Sequence, residues 1–422
     1  PARFGGSKLR CRLGLDDTDH VDEGCTTSSF DELLSEIQEA MNCVILERRL
    51  VRLWPFAERR TRGNGALGAI IDIPDKDEVL LEKICNDWFD RLLTKVAGYP
   101  PSKIPVSPCL AISFDKAPEH WYWDAVRGYV KPENILREAG NTGAILFLKN
   151  EISGVVGACA AISWESNPHS SWELIAWRDD SSLGSERRVS SRSVSQLESL
   201  FPGTFLNRDP TKGKGLIAPR TPCPVLYGIR GSSSSEVEKA HIWLQSEEGV
   251  ESCKSYAIHR SNQISDDHIE STRSGLVICK PRETKGGHAR VSVFSRGQSL
   301  NLVAFREGGP VNRLLRTLEP GDKITWVGLH SPDGSIHLER LRIDSATPRI
   351  FSRPICCRRT MRSSGRNQGL RCLSCGRKEK KTWYSIHFDD IHEYPSGKWL
   401  EPTPSNRRHL SRPLSQGLPG IN

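Results

Sequence analysis

The sequence predicts an α+β chain of several domains. At 422 residues it is too long for one ordinary core. Its first part mixes strand-period and helix-period segments. Residues 288–342 hold four short alternating strands, and a cysteine cluster follows them. Together these give an α/β N-terminal region, an α+β middle, a small barrel of the OB type and a zinc ribbon.

Residues 9–15 alternate apolar and polar and read as a strand that runs into Asp16-Asp17-Thr18-Asp19. Phe30, Leu33, Leu34, Ile37, Ala40 and Met41 then fall on one helical face, with Ser28–Asp31 or Ser29–Glu32 as a capping box. Residues 43–51 and 66–73 read as strands, 79–97 as a helix, and 121–138 as one further helix. Residues 144–148 and 155–162 are apolar runs that periodicity alone leaves as strand or helix, and 183–200 is a serine- and arginine-rich loop or weak helix. Strand, helix and strand follow at 225–229, 236–246 and 255–259. The barrel strands are 288–294, 299–305, 323–329 and 335–342, with a helix at 311–318. OB barrels often carry nucleic acid on one face.

Net charge is +8, from 59 Lys plus Arg against 51 Asp plus Glu, which is compatible with a polyanionic partner. The basic excess is concentrated in residues 353–381 and at Arg407, Arg408 and Arg412. Most of the 13 cysteines are scattered, the pattern of reduced thiols in a cytoplasmic protein. No stretch of about 18 apolar residues is present, so no membrane span is expected.

Four segments carry chemistry. Three carboxylates in Asp16-Asp17-Thr18-Asp19 repel one another, which suits Mg²⁺ bridging nucleotide phosphates; an exposed acidic turn is the bland alternative. Gly24-Cys25-Thr26-Thr27 opens a helix, whose free N–H groups seat phosphate, and either threonine could instead be a cap. Thr61-Arg62-Gly63-Asn64-Gly65 combines glycines that admit a close ligand with an arginine fork for phosphate, although Asn-Gly is also a common hairpin turn. There is no Walker-type phosphate loop. Cys372-Leu373-Ser374-Cys375-Gly376 is half of a zinc ribbon, and its partner is the adjacent pair Cys356-Cys357, an awkward arrangement for one tetrahedral ion.

Taken together these segments resemble the archaeal agmatidine (2-agmatinylcytidine) synthetases of isoleucine tRNA. The resemblance lies in Gly14-Leu15-Asp16-Asp17-Thr18-Asp19 with Gly24 and Thr26, in Arg52-Leu53 before Thr61-Arg62-Gly63-Asn64-Gly65-Ala66, and in Gly154-Val155-Val156-Gly157-Ala158. It continues through Trp172-Glu173-Leu174-Ile175-Ala176, Pro222 to Gly231, Asn262-Gln263, Asp266-Asp267-His268, Met361-Arg362-Ser363 and Arg407-Arg408-His409-Leu410.

That family resemblance implies a kinase-like domain for ATP and cytidine over 1–138, a ferredoxin-like domain over 139–284, the OB fold over 285–348, the zinc ribbon over 349–380 and a basic C-terminal tail over 381–422. It implies ATP-dependent phosphorylation of the wobble cytidine of tRNA(Ile) with a CAU anticodon at its C2 oxygen, followed by displacement of phosphate by agmatine. The product is 2-agmatinylcytidine, which decodes AUA. Asp16, Asp17 and Asp19 would hold Mg²⁺ and triphosphate, and Thr26 would be the family's phosphorylated threonine. Thr18, Gly24, Cys25, Thr27, Arg62, Gly63, Asn64 and Gly65 would bind ATP. Asp266 and Asp267 are candidates for the agmatine dication. Arg362, Arg371, Arg407, Arg408 and His409 are assigned to tRNA, and Cys356, Cys357, Cys372 and Cys375 to Zn²⁺. The chain departs from the family at Arg60, usually Lys, at His20, usually Ser, and at the first cysteine pair. A non-catalytic tRNA-binding protein and an RNA-modifying enzyme using another amine are the rival readings.

Overall fold

The structure is a computed structural model. It describes residues 7–420 apart from 21, 61, 62 and 150, with the side chains of residues 350 and 351 also outside the description. The chain divides into two compact units, Pro1–Glu270 with Arg407–Pro413, and Ser271–Asn406 with Leu414–Asn422.

In the first unit, strand β1 (Lys8–Asp16) leads through the acidic turn to helix α1 (Thr26–Ala40), then β2 (Val44–Arg52) and β3 (Gly65–Pro74). Helix α2 (Glu78–Ala97), strand β4 (Cys109–Ser113), helices α3 (His120–Arg127) and α4 (Pro132–Thr142) and strand β5 (Ile145–Phe147) follow. Helix α5 (Val155–Ser163), strand β6 (Ser171–Arg178), helix α6 (Ser191–Leu200), strand β7 (Val225–Gly231), helix α7 (Ser234–Ser246) and strand β8 (Cys253–Ser261) complete it. Eight strands form one sheet in the order β5-β4-β1-β3-β2-β8-β6-β7, antiparallel except where β2 meets β8. Leu13 and Leu15 of β1, Phe30, Leu33 and Ile37 of α1 and Ile71 of β3 are fully buried on one face.

Helix α5 lies against β1 because the residues between them are small. A Cβ on Gly14 would come within 2.2 Å of the Ala158 carbonyl oxygen, and one on Gly157 within 1.8 Å of Asp16 Oδ2. Ala158, Ala160 and Ala161 are completely buried in the same layer.

In the second unit, β9 (Arg273–Val277), β10 (Ala289–Ser295), β11 (Gln298–Ala304), helix α8 (Pro310–Thr317), β12 (Lys323–His330) and β13 (Ile336–Ser345) form a five-stranded barrel. Its order is β9-β12-β13-β11-β10, and the pairing of Leu276 with Phe294 and Val277 with Val293 closes it.

Several expectations change. The capping box is absent: the helix begins at Thr26 with Cys25 as its N-cap and no side-chain cap bond, so Ser28 and Ser29 lie inside the first turns. The single helix over 121–138 is two, because Gly128 ends α3 in extended backbone and Pro132 opens α4. The run at 155–162 is helical, and that at 144–148 holds a strand. Strand β9 is an addition to the four expected barrel strands, and it lies before residue 285; Gly275 breaks its pattern, yet serves a close crossing, with Phe294's carbonyl oxygen 2.6 Å from where a Cβ would stand. The basic tail is in part a packed segment. Ile264 and Asp266 donate backbone N–H bonds to the carbonyls of His409 and Leu410, both at 2.9 Å, and Leu410 is buried.

Gly14→Ala should cost about 1–3 kcal/mol, because the added methyl meets backbone that cannot rotate away. Urea unfolding of the variant against the parent chain checks this.

Candidate functional site

One cleft of about 510 Å³ in the first unit gathers most of the candidate catalytic and ATP-binding residues. Asp16, Asp17 and Asp19, then Cys25, Thr26 and Thr27, then Gly63, Asn64 and Gly65, and finally His409 all line it. Thr18 and Gly24 stand just behind. Thr18 is fully buried and its hydroxyl donates to that of Thr26 at 3.2 Å, and Gly24 turns the chain at φ 69°.

The acidic turn is built by β1 and closed by strain. Asp16 ends the strand, and Asp17 takes a left-handed φ of 57°. Burial pushes the Asp16 carboxyl up to about 7, with the neighbouring Asp19 charge adding to it. Burial, reinforced by Asp16 and Asp19, pushes Asp17 up to about 8 against the opposing charge of Arg59. Crowded, desolvated carboxylates of this kind ionise fully only beside a cation. The exposed-acidic-turn reading therefore fails. Thr26 is 5% exposed and donates to Asp19 Oδ1 at 3.1 Å, so it is tied to the turn and is not the helix cap. Trp177 donates its indole N–H to the Thr27 hydroxyl at 3.0 Å. The N-terminus of α1 opens onto the cleft beside these groups.

Asn64 is not a hairpin tip. With φ 43° it closes the long connection from β2 to β3, accepting from the Leu53 N–H at 2.9 Å and donating its amide to the Trp54 carbonyl at 2.7 Å. Thr61 and Arg62 lie outside the described residues.

Of the cluster at the other end of the cleft, sequence reasoning assigns a role only to His409, toward tRNA. Glu173 accepts from Arg52 Nη2 at 3.0 and 3.3 Å and from Arg230 Nε at 3.2 Å. Burial opposes ionisation of Glu173, but the two guanidinium groups outweigh it and hold the carboxyl down at about 2. His409 lines the cleft; desolvation, then Arg52 and Arg230, push it down to about 3. Asn262 clamps Arg52 through both backbone groups, accepting at 2.7 Å and donating at 2.9 Å, and donates also to Tyr122 Oη at 2.9 Å. A signal is present in the chain: Glu173 and Arg230 are lone charges inside the apolar strand runs of β6 and β7.

Asp266 and Asp267 do not line the cleft. Asp267 accepts from Tyr122 Oη at 2.6 Å and, through its carbonyl, from Arg127 Nε at 3.1 Å; Asp266 accepts from the Arg412 N–H at 2.8 Å. Arg408 stacks on Phe56 at 5.1 Å. Arg362 and Arg371 are exposed and face each other in a small three-stranded sheet of the second unit.

The four cysteines do meet. Sγ atoms of Cys356, Cys357, Cys372 and Cys375 all lie within 4.8 Å of one another, near the spacing of about 3.8 Å that a tetrahedral zinc–thiolate site requires. The adjacent pair manages this by geometry: Ile355 pairs with Thr360 and Cys356 with Arg359, and the two tip residues Cys357 and Arg358 have φ of 49° and 60°. That is a type I′ hairpin, which turns both thiols to one side. Backbone N–H groups of Cys375 and Ser374 hold the Cys372 thiol down at about 6.

A carboxylate trio and a helix N-terminus aimed into one void are the equipment of an enzyme that handles phosphoryl groups, not of a passive binding module. Comparison with known proteins makes the class specific. Family models described as the TiaS TCKD domain, the TiaS FLD domain and the TiaS C-terminal zinc ribbon domain match residues 12–151, 153–268 and 353–387. TiaS of Methanopyrus kandleri, a 2-agmatinylcytidine synthetase of isoleucine tRNA, is 31% identical over 435 residues, covering 95% of this chain and 96% of the relative. TiaS of Archaeoglobus fulgidus is 29% identical over 428 residues, covering 96% and 97%. The solved complex of TiaS with an isoleucine tRNA and ATP is similar at a TM-score of 0.82 and 27% identity, over 98% of this chain and 99% of that one. The complex of TiaS with an isoleucine tRNA, AMPCPP and agmatine gives 0.79 and 25%, over 97% of both. The chain belongs to the TiaS family, the 2-agmatinylcytidine synthetases of isoleucine tRNA. The resemblance read from the sequence is borne out.

Acid should weaken the first unit in two overlapping windows. His409 is neutral in the fold, so the unfolded chain takes the extra proton as pH falls from 6.5 toward 3, and Glu173 loses its stabilising charge from 4.5 toward 2. Thermal midpoints measured against pH should fall below 6.5, and His409→Asn should remove the upper part of that fall.

Proposed function

We infer that this chain couples ATP to the joining of agmatine to C2 of the wobble cytidine of tRNA(Ile) with a CAU anticodon, giving 2-agmatinylcytidine. The observation that carries this is one cleft holding the acidic turn and the α1 N-terminus, in a chain alike over 97% of its length to a TiaS complex with isoleucine tRNA, AMPCPP and agmatine. The non-catalytic reading is not favoured, because a tRNA-binding barrel needs no desolvated carboxylate cluster.

Cytidine O2 is a poor leaving group, and phosphorylation makes it a good one. The phosphoryl group passes from ATP to O2. Agmatine nitrogen then bonds to C2 as the C2–O bond breaks, phosphate departs with that electron pair, and the nitrogen sheds one proton. Asp16, Asp17 and Asp19 are assigned to Mg²⁺ and triphosphate; the raised carboxyls of Asp16 and Asp17 and the hard oxygen donors of all three suit that ion. Mg²⁺ bound there supplies charge neutralisation for the triphosphate. Cys25, Thr27, Gly63, Asn64 and Gly65 are assigned to ATP, and Thr26, held between Thr18 and Asp19, to the phosphorylated threonine of the family. The matched regions 12–151 and 153–268 are read as kinase-like and ferredoxin-like, and the barrel, whose helix α8 falls between its third and fourth strands, as OB type. Among the described residues no helix is long and apolar enough to cross a membrane, and we place the enzyme in the cytoplasm. The ribbon cysteines are assigned to Zn²⁺, with Arg362 and Arg371 on the same small module assigned to tRNA.

Incubation with ATP, Mg²⁺, agmatine and the isoleucine tRNA, followed by mass analysis of the wobble nucleoside, tests the reaction; an unmodified base beside active ATP hydrolysis would sink agmatine as the amine. Asp17→Asn should abolish ATP turnover, by about a hundredfold or more, while tRNA binding persists. For the ribbon, elemental analysis should find about one zinc per chain. Cys357→Ser should reduce that content sharply, whereas Cys279→Ser, outside the cluster, should not.

A further inference from the structure

The cluster around Glu173 has more positive charge than its carboxylate can match. Arg52 and Arg230 bring two cations to one anion, and His409, held neutral, adds none. Arg230 also donates Nη1 to the Leu206 carbonyl at 3.3 Å. That leaves Arg52 Nε, which is buried without a partner, Arg52 Nη1 and Arg230 Nη2 with no hydrogen bond among the described residues. Both guanidinium groups line the cleft, with side chains 13% and 11% exposed. A Cβ on Gly63 would stand 2.5 Å from Arg52 Nη1, so glycine leaves bare backbone beside that donor.

This cluster is not the acidic turn's other half. Asp16 ends β1, whereas Glu173 lies on β6, four strands along the sheet, or about 19 Å at roughly 4.8 Å per strand. No single phosphate group touches both. The two guanidinium groups sit deep in the cleft wall, which suits a small tetrahedral anion better than a strand of RNA, and paired guanidinium forks match phosphate oxygens.

We propose that Arg52 and Arg230, gathered by Glu173, form a binding site for inorganic phosphate, the group released when the amine displaces it from the base. This rests on the reaction inferred above. Asn262 is its positioning residue, because it fixes the Arg52 backbone from both sides.

The test uses the full chain with orthophosphate as the probe. Without tRNA or Mg²⁺, phosphate should raise the melting midpoint of the wild-type protein. Arg230→Lys should weaken the apparent affinity about tenfold, since an ammonium cannot reproduce the fork. Glu173→Gln should shift it the opposite way, because the pair then carries an unopposed second charge. During tRNA modification, phosphate should inhibit without competing with ATP. The site is overturned if phosphate protects wild type and Arg230→Lys equally, if inhibition is competitive with ATP, or if only an oligoribonucleotide protects. A chain that modifies no cytidine yet keeps the Arg230-dependent response would overturn the reaction and leave the anion site standing.

Discussion

The approach of helix α5 to strand β1 is the constraint on which the cleft depends. Only a glycine at 14 lets the helix backbone reach the strand, and only a glycine at 157 leaves room for the Asp16 carboxylate beside the first turn of that helix. The acidic turn is therefore not a flexible loop that happens to be charged. Its first carboxylate is seated in a slot made by a missing side chain, and the left-handed backbone at Asp17 redirects the chain from there toward Asp19 and Thr26. Crowding three carboxylates this way costs electrostatic energy, which fits the proposed assignment of the turn to a cation.

The cleft is polar in a second sense. One end crowds like negative charges together, and the other holds two guanidinium groups against one carboxylate. A reaction that brings in a cation-bound triphosphate and sends out an anion suits that division, because each end is matched by a different participant. The sheet supplies the separation, since the two ends sit on different strands of one continuous ladder.

Much of this was legible in the residues. The acidic turn, the helix that follows it and the barrel strands at 289–345 announce themselves through local pattern, so the structure finds them nearly where periodicity puts them. The losses come where meaning is not local. Glu173 and Arg230 each look like an odd charge in an apolar strand, and they become a site only when β6 and β7 pair them across one register position. Asp266 and Asp267 form an acidic pair by sequence, yet tie Tyr122 and Arg412 in place. The adjacent cysteines break the expected spacing, and no spacing rule contains the two left-handed residues that rescue them. Strand β9 is hidden by Gly275.

The segment Arg407–Pro413 joins the first unit only after the chain has passed through nearly the whole of the second. Asp266 and Arg412, which it brings together, are 146 residues apart, and His409 completes the cleft wall. A nascent chain emerging from the ribosome can form the eight-stranded sheet early, but it has no finished cleft until the barrel and ribbon have been synthesised. Part of the cleft wall is thus among the last pieces translation delivers, and chains released early carry the acidic turn without it. Closing a contact over so long a separation in sequence also carries a loop-closure entropy, which slows folding.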